Sequence, residues 1–216
     1  MFQLDPATLI ARIIVLVVAF TIHEFSHAWT AVRFGDETPR MYGRLTLNPL
    51  AHLDPMGSIL LLVAGFGWAK PVPINPMVLN RRSSAAVMWV SLAGPFSNLI
   101  LAILAAIPFR LGLASIAEGF TTSKSILPSF SLILVQFVAI NLLLMLFNMI
   151  PLAPLDGEKI ADYFMPPNIS RAMESIRPYG PMILIVIAVL APMLGVDIIG
   201  WIIMPPLRAL FGILVG

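Results

Sequence analysis

The chain has 216 residues, of which 59% are hydrophobic and only 11% are charged. A soluble domain carries about a quarter charged residues, so the composition excludes an ordinary soluble protein and indicates one embedded in a lipid bilayer. The net charge of +2 is too small to suggest a nucleic-acid partner, and the lack of cysteine excludes disulfides and thiolate metal ligands.

Four apolar runs are long enough, or nearly so, to cross a hydrocarbon core, which requires about 20 helical residues. They are residues 9–32, 85–108, 129–150 and 181–215. Proline- and glycine-containing stretches interrupt the last run, so it is either one kinked span or two short helices. A shorter, glycine-rich run at residues 56–69 fits a re-entrant segment, whose backbone is tolerated at membrane depth where protein buries it.

Two further stretches, residues 41–47 and 67–75, predict short interfacial β-strands. Pro71 and Pro73 restrict the second strand to a sheet edge, because proline donates no hydrogen bond to a ladder. The sequence therefore predicts a single α-helical polytopic membrane domain over residues 1–216. It has about four to five transmembrane helices, a re-entrant segment and short strands, with a C-terminal helical region at about 179–216.

Lysine and arginine residues concentrate in two of the connections. Six lie between the first and second runs and three between the third and fourth, whereas residues 109–128 contain two. Positive residues favour the cytoplasmic side of a membrane. We therefore expect a multi-pass protein of the cell membrane with both arginine-rich connections in the cytoplasm. His23 lies about ten residues before Arg33, and therefore roughly 15 Å inside the cytoplasmic end of the first span.

The first apolar run contains the sequence HEFSH at residues 23–27. His23 and His27 share one face of a helix, the spacing by which a helix offers two imidazoles to one zinc ion. Glu24 projects beside them, where it can take a proton from a metal-bound water. The alternative is that both histidines only bond to backbone carbonyls. Because ionisable residues inside a membrane span are rare and usually functional, the motif predicts a metal site.

A catalytic zinc takes three protein ligands, so a third is needed. His52 and Asp54 lie in a proline-rich loop, where turn and cap chemistry also explains them. Glu37 has the pattern of a solvated helix exit. Asp156 follows the third run in NMIPLAPLDG, where two prolines stop the helix and let the chain turn back toward the membrane. A carboxylate delivered there can meet the two imidazoles.

Three motifs in this order, HEFSHAW, AGPFSN and NMIPLAPLDG, resemble the site-2 protease family of intramembrane zinc metalloproteases. The likeness covers roughly residues 9–160, which it implies form the catalytic core, and the connecting stretches are similar to the short bacterial and archaeal members that lack PDZ and CBS domains. The resemblance implies a single zinc ion per chain, held by His23, His27 and Asp156, with Glu24 as the general base.

The resemblance also implies that Asn98 and Asn148 lie near the site and bind the substrate backbone or the oxyanion. For Asn98 the alternative is a hydrogen bond between helices, with Gly94 as the close-packing residue. The family commonly has Pro at position 153 and Gly-Arg at positions 158 and 159. Here Glu158 places a second carboxylate beside Asp156, where it could compete for the metal.

The predicted function is zinc-dependent cleavage of transmembrane segments, as in regulated intramembrane proteolysis. The expected partners are single-span membrane proteins and the lipid bilayer, and the sequence gives no oligomeric state. An unwound substrate segment would add to a strand edge. The alternative is a transporter or channel that uses the buried His, Glu and Asp side chains as an ion path. It would predict inverted repeats, and the sequence shows none.

Overall fold

The computed structural model describes residues 5–55, 57, 69–121 and 125–216. Their regular structure is helical. The helices are α1 (Pro6–Arg33), α2 (Thr38–Met41), α3 (Pro76–Arg82), α4 (Ala86–Arg110), α5 (Ile116–Phe120), α6 (Phe130–Asn148), α7 (Asp156–Phe164), α8 (Pro167–Met193) and α9 (Ile198–Val215). Helix α8 includes a 3-10 turn at Arg177–Tyr179 and a π-helical turn at Val186–Leu190.

Among the described residues, five helices are long and apolar enough to cross a membrane, namely α1, α4, α6, α8 and α9. This confirms the predicted class of an α-helical polytopic membrane protein. The interrupted fourth run forms two helices, since the chain turns between α8 and α9. Gly195 lies in this turn with a positive φ of 83°, a conformation that favours glycine. Helix α8 also begins earlier than the fourth run, at Pro167.

The predicted strands do not form in the described residues. Residues 41–47 contain the end of α2, and Gly43, with a positive φ of 67°, then continues a turn rather than a strand. Residues 69–75 are not paired as a strand either, because two prolines remove donors that a ladder requires. The pairing seen in this part of the chain is an isolated antiparallel bridge between Leu53 and Ala69. Most of the predicted re-entrant segment, and residues 67 and 68, lie outside the described residues.

A stripe of buried residues along α1 organises the bundle. Its members recur at every fourth position and are Ala7, Ala11, Val15, Ala19, His23, His27 and Ala31. Four alanines in this stripe allow neighbouring helices to approach closely. Ala7 and Ala11 pack on Leu132 near the start of α6, whereas Ala31 packs on Ala86 at the start of α4. Helix α1 therefore lies antiparallel to α4, and the two histidines face the bundle interior.

Different helix ends meet at the two ends of the bundle. Helix α1 ends, α4 begins and α6 ends at one of them, which we call the site end because α7 packs there against α4. Helix α9 packs its C-terminal half on the opposite ends of α4 and α6. There the Nε of Arg110 donates to the carbonyl of Leu214 at 2.9 Å. Helix α9 therefore starts near the site end and runs away from it.

Candidate metal centre

Helix α1 brings two histidines and a glutamate into the interior of the bundle. His23 is 5% exposed, and Glu24 and His27 are each 8% exposed. Because residues four apart on a helix lie on one face, the two imidazoles meet, and their Nε2 atoms are 3.0 Å apart. The structure thus places all three residues of the predicted motif at one buried position.

Asp156 completes the group from the opposite direction. It is the first residue of α7, and its Oδ2 lies 3.2 Å from the Nε2 of His23 and 3.2 Å from the Nε2 of His27. The next residue must be small. A Cβ on Gly157 would lie 2.5 Å from the carbonyl oxygen of Ile150. Glycine therefore allows α7 to begin against the end of α6, which directs the aspartate toward α1.

The spacing of these three donor atoms fits a metal ion. They lie within 4.8 Å of one another. A tetrahedral zinc with ligand bonds of about 2.0–2.1 Å separates its donors by about 3.3 Å, close to the separations seen here. Burial raises the pKa of the Asp156 carboxyl, but His27 and His23 outweigh it and hold that pKa well below its ordinary value. Asp156 is therefore an anionic oxygen donor at neutral pH.

The outer nitrogens of both imidazoles are also held. Nδ1 of His27 lies 2.7 Å from the backbone carbonyl of Val90, and Nδ1 of His23 lies 2.6 Å from Oδ1 of Asn98. A carbonyl only accepts hydrogen bonds, so Nδ1 of His27 carries a proton, which leaves Nε2 as the ring nitrogen that can bind a metal. Outer hydrogen bonds of this kind orient the histidine ligands of metals.

Helix α4 passes unusually close to the two imidazoles at Gly94. A Cβ at this position would lie 2.5 Å from Cε1 of His27 and 2.6 Å from Cε1 of His23. It would also overlap Nε2 of His27. The absence of a side chain at Gly94 is therefore required for the two histidines to occupy the positions that bring them together with Asp156.

The group opens onto a cavity of about 570 Å³. Glu24 and Asn148 line it beside His23, His27 and Asp156. Further walls come from the stretch that includes Val72 and from the start of α9. The predicted general base and the predicted metal ligands therefore face one common space, which is large enough for a peptide segment and water.

Glu158 does not compete for the centre in this structure. Its side chain is buried, and its Oε1 accepts hydrogen bonds from the guanidinium of Arg177, at 2.8 Å from Nε. This ion pair links α7 to α8 and occupies the carboxylate. Although Glu158 is two residues from Asp156 in sequence, the helical turn between them sends the two carboxylates to different neighbours.

The other candidates for the third ligand are engaged locally. Nε2 of His52 lies 2.7 Å from the carbonyl of Thr46, and Oδ1 of Asp54 accepts from the N–H of Gly57 at 2.8 Å. Oε2 of Glu37 forms an exposed ion pair with Nη1 of Arg40, at 2.9 Å. None of these three joins the two histidines. Of the carboxylates and imidazoles weighed in the sequence, the structure brings Asp156 to them.

The two asparagines have different surroundings. Asn98 is fully buried, and its Nδ2 donates to Oδ1 of Asn141 at 2.8 Å. Its amide therefore joins α1, α4 and α6, which is the arrangement of the helix-to-helix alternative. Asn148 lines the cavity, and its Nδ2 donates to the carbonyl of Leu144 at 3.0 Å. Sequence reasoning missed Asn141, although an amide inside the apolar stretch VAINLLLM is itself a signal.

Comparison with curated proteins identifies the family. The chain is 46% identical over 181 residues to "Putative zinc metalloprotease YwhC" of Bacillus subtilis, and the aligned region covers 82% of this chain and 79% of that protein. The chain belongs to this family of zinc metalloproteases. It is also 31% identical over 189 residues to "Putative zinc metalloprotease Rip2" of Mycobacterium tuberculosis, covering 86% of this chain and 67% of the relative.

The Rip2 protein of Mycolicibacterium smegmatis is 29% identical to this zinc metalloprotease over 176 residues, covering 80% of this chain and 64% of the relative. No family model and no solved structure matches the chain. Membership of the family implies zinc, and the donor set can hold it. Two imidazole nitrogens and one carboxylate oxygen are the ligands of a catalytic zinc, which keeps its fourth position open.

Proposed function

We propose that this zinc metalloprotease is an intramembrane endopeptidase of the site-2 protease type, which cleaves transmembrane segments of single-span membrane proteins. The observation that supports it most is the position of the donor group. His23 and His27 lie in the C-terminal half of a helix of membrane-spanning length, and Asp156 approaches them from α7. A metal held there faces a cavity between helices, where a transmembrane substrate can reach it.

The reaction is peptide-bond hydrolysis with Glu24 as the general base. Zinc, when bound by His23, His27 and Asp156, supplies a water of lowered pKa and a Lewis acid for the scissile carbonyl. Glu24 accepts the proton of the attacking water on its carboxylate and passes it to the departing amine nitrogen, which accelerates such reactions by about 10² to 10⁴. Its buried position beside the ligands keeps the carboxylate in the same space as the scissile bond.

A substrate helix must unwind before its peptide bond can be attacked, and its freed N–H and C=O groups then need partners. Residues 70–75, which we call the docking edge, can supply these partners. Pro71 and Pro73 have fixed φ angles and restrict the residues before them to extended conformations. Val72 and Ile74 retain their N–H groups, which have no hydrogen-bond partner among the described residues, and both residues line the cavity. An extended peptide can therefore pair with this edge beside the metal.

Arg44 holds the start of this edge in place through hydrogen bonds to its backbone carbonyls. Arg44 is 5% exposed, and its guanidinium donates to the carbonyls of Lys70 and Pro71, at 3.1 and 3.0 Å, and to the carbonyl of Ala51. Three backbone carbonyls are thus bound to one rigid, planar group. These bonds hold the edge in a fixed position relative to the loop at Ala51, which supports its use as a docking site for substrate.

The orientation that we propose places the site toward the cytoplasm. The long connection between α1 and α4 starts at the site end and is rich in arginine and lysine, and α7 with its following connection is at the same end. Positive residues favour the cytoplasmic side. Water for the hydrolysis then enters the cavity from the cytoplasm.

Separate measurement of zinc content and of cleavage tests the assignment of roles. Glu24→Gln keeps nearly the same volume but cannot accept the proton, so we expect near-stoichiometric zinc and almost no cleavage of a single-span substrate in detergent. His23→Ala, His27→Ala and Asp156→Ala should each lose both, because two ligands hold zinc poorly in a site built for three. Glu37→Ala is the control that removes a carboxylate outside the site and should keep both.

Two results would contradict the proposal. If Glu24→Gln cleaves at the normal rate, no carboxylate at this position acts as the base and the mechanism is wrong. If Asp156→Ala retains its zinc while Glu158→Ala or His52→Ala loses it, the third ligand is misassigned, although the two histidines on α1 would keep their role.

A further inference from the structure

A chain of hydrogen bonds leads from the backbone of α6 to the metal centre. Nδ2 of Asn141 donates to the carbonyl of Phe137 at 2.9 Å, and Nδ2 of Asn98 donates to Oδ1 of Asn141 at 2.8 Å. Oδ1 of Asn98 lies 2.6 Å from Nδ1 of His23. Both asparagines are 0% exposed, so water does not compete for these contacts.

The polarity of the whole chain follows from its first member. The carbonyl of Phe137 can only accept, so the Asn141 atom that faces it is the amide nitrogen. The oxygen of Asn141 then faces Asn98, which must present its own nitrogen in return. The oxygen of Asn98 is left for His23, whose Nδ1 must carry the proton. A single backbone carbonyl on α6 thus determines that Nδ1 is the nitrogen of His23 that donates to Asn98, which leaves Nε2 as the nitrogen that can bind a metal.

Both histidines donate from Nδ1 to an outer acceptor, but the two acceptors differ. Nδ1 of His27 contacts the carbonyl of Val90 directly. His23 instead contacts the Asn98 amide, whose oxygen and nitrogen could be exchanged by rotation of the side chain. Exchange would turn a donor toward His23 and favour the wrong tautomer. Asn141 is the residue that opposes this rotation, because its oxygen needs the donor of Asn98.

We propose that Asn141 is a positioning residue for the metal centre, which acts through Asn98 to hold His23 in its metal-binding tautomer. The proposal rests on the proposed function in that His23 is a zinc ligand. A purely structural role predicts something different, since buried amides also join membrane helices together. An amide that only joins helices changes the stability of the protein and leaves the zinc affinity of the folded protein unchanged.

The experiment measures the zinc dissociation constant of the purified, folded protein by competition with a chelator, together with its thermal unfolding. Asn141→Leu removes the acceptor for Asn98, and we expect zinc to bind roughly tenfold more weakly, the lower end of what outer hydrogen-bond partners contribute. Asn141→Asp offers an oxygen to Asn98 in either protonation state and should restore most of the affinity. Gln136→Leu removes another amide from α6 and should leave the zinc affinity unchanged.

A double-mutant cycle tests whether Asn141 affects zinc affinity through Asn98 or independently of it. If Asn141 acts through Asn98, then Asn141→Leu has no further effect on zinc affinity in an Asn98→Leu background. Should Asn141→Leu fail to fold, Asn141→Ala is used with the same expectation. The proposal is overturned if Asn141→Leu, or Asn141→Ala in its place, binds zinc within twofold of the parent protein, or if the effects of the two positions simply add. Retention of zinc by His23→Ala would instead show that the proposed function is at fault.

Discussion

Gly94→Ala adds one methyl group where α4 meets the two histidines, and its effect follows from the distances. The new Cβ would lie 2.5 Å from Cε1 of His27, so that ring must move by about 0.9 Å to restore an ordinary contact of 3.4 Å. Metal–ligand bonds tolerate deviations of about 0.2 Å. Because α1 carries both imidazoles and cannot move away without losing its packing on α4, we expect zinc affinity to fall by roughly 100-fold or more.

The assay is a chelator competition on the folded protein, with cleavage of a single-span substrate as the second measurement. Gly212→Ala is the matched control. It makes the same substitution in helix α9, where an added Cβ has no heavy atom within 4 Å. Alanine is the better helix former by about 1 kcal/mol, so the control should be neutral or slightly stabilising. If Gly94→Ala binds zinc within threefold of the parent protein, the close packing of α4 on the histidines is not what positions them.

Three other changes give distinct results. Arg177→Ala leaves the Glu158 carboxylate buried without its partner and should lower the free energy of unfolding by about 1–2 kcal/mol, with zinc retained; an unchanged thermal midpoint would show that the pair contributes nothing. Val72→Pro removes an N–H from the proposed docking edge and should slow cleavage several-fold at constant zinc content, and normal kinetics would exclude this edge as the substrate site. Cysteines at Arg40 and Leu113 should react with impermeant reagents from the cytoplasmic and the opposite side respectively, and the reverse pattern would invert the proposed orientation.

The parts of the fold that the sequence predicted well depend on properties of the local chain. The first three membrane helices begin and end within a few residues of the apolar runs, because the thickness of a bilayer sets their length. The pairing of the two histidines could also be predicted from local sequence, since a spacing of four residues puts His23 and His27 on one helix face. Asp156 could be favoured as the third member because the prolines before it end one helix and α7 begins directly at the aspartate.

The errors concern the bounds of local elements that are not strongly apolar. The strand prediction at residues 41–47 weighed the hydrophobic pattern and not the start of α2, where Pro39 occupies the first turn of a short helix. The early start of α8 was missed because its first ten residues are amphipathic rather than apolar. Neither error touches the metal centre, whose parts lie on α1, α4, α6 and α7.

The partners of the donor group mark where sequence reasoning ends. The carbonyl of Val90 holds His27, and a backbone acceptor has no side chain by which a sequence pattern could reveal it. The resemblance implied that Asn98 lies near the site, and in the structure its amide oxygen and nitrogen face His23 and Asn141, which are 75 and 43 positions away in the chain. A spacing of four residues specifies which atoms can bind a metal. The packing of α4 and α6 against α1 decides which nitrogen of each imidazole faces an outer acceptor and which one faces the centre, and therefore whether the motif can bind a metal.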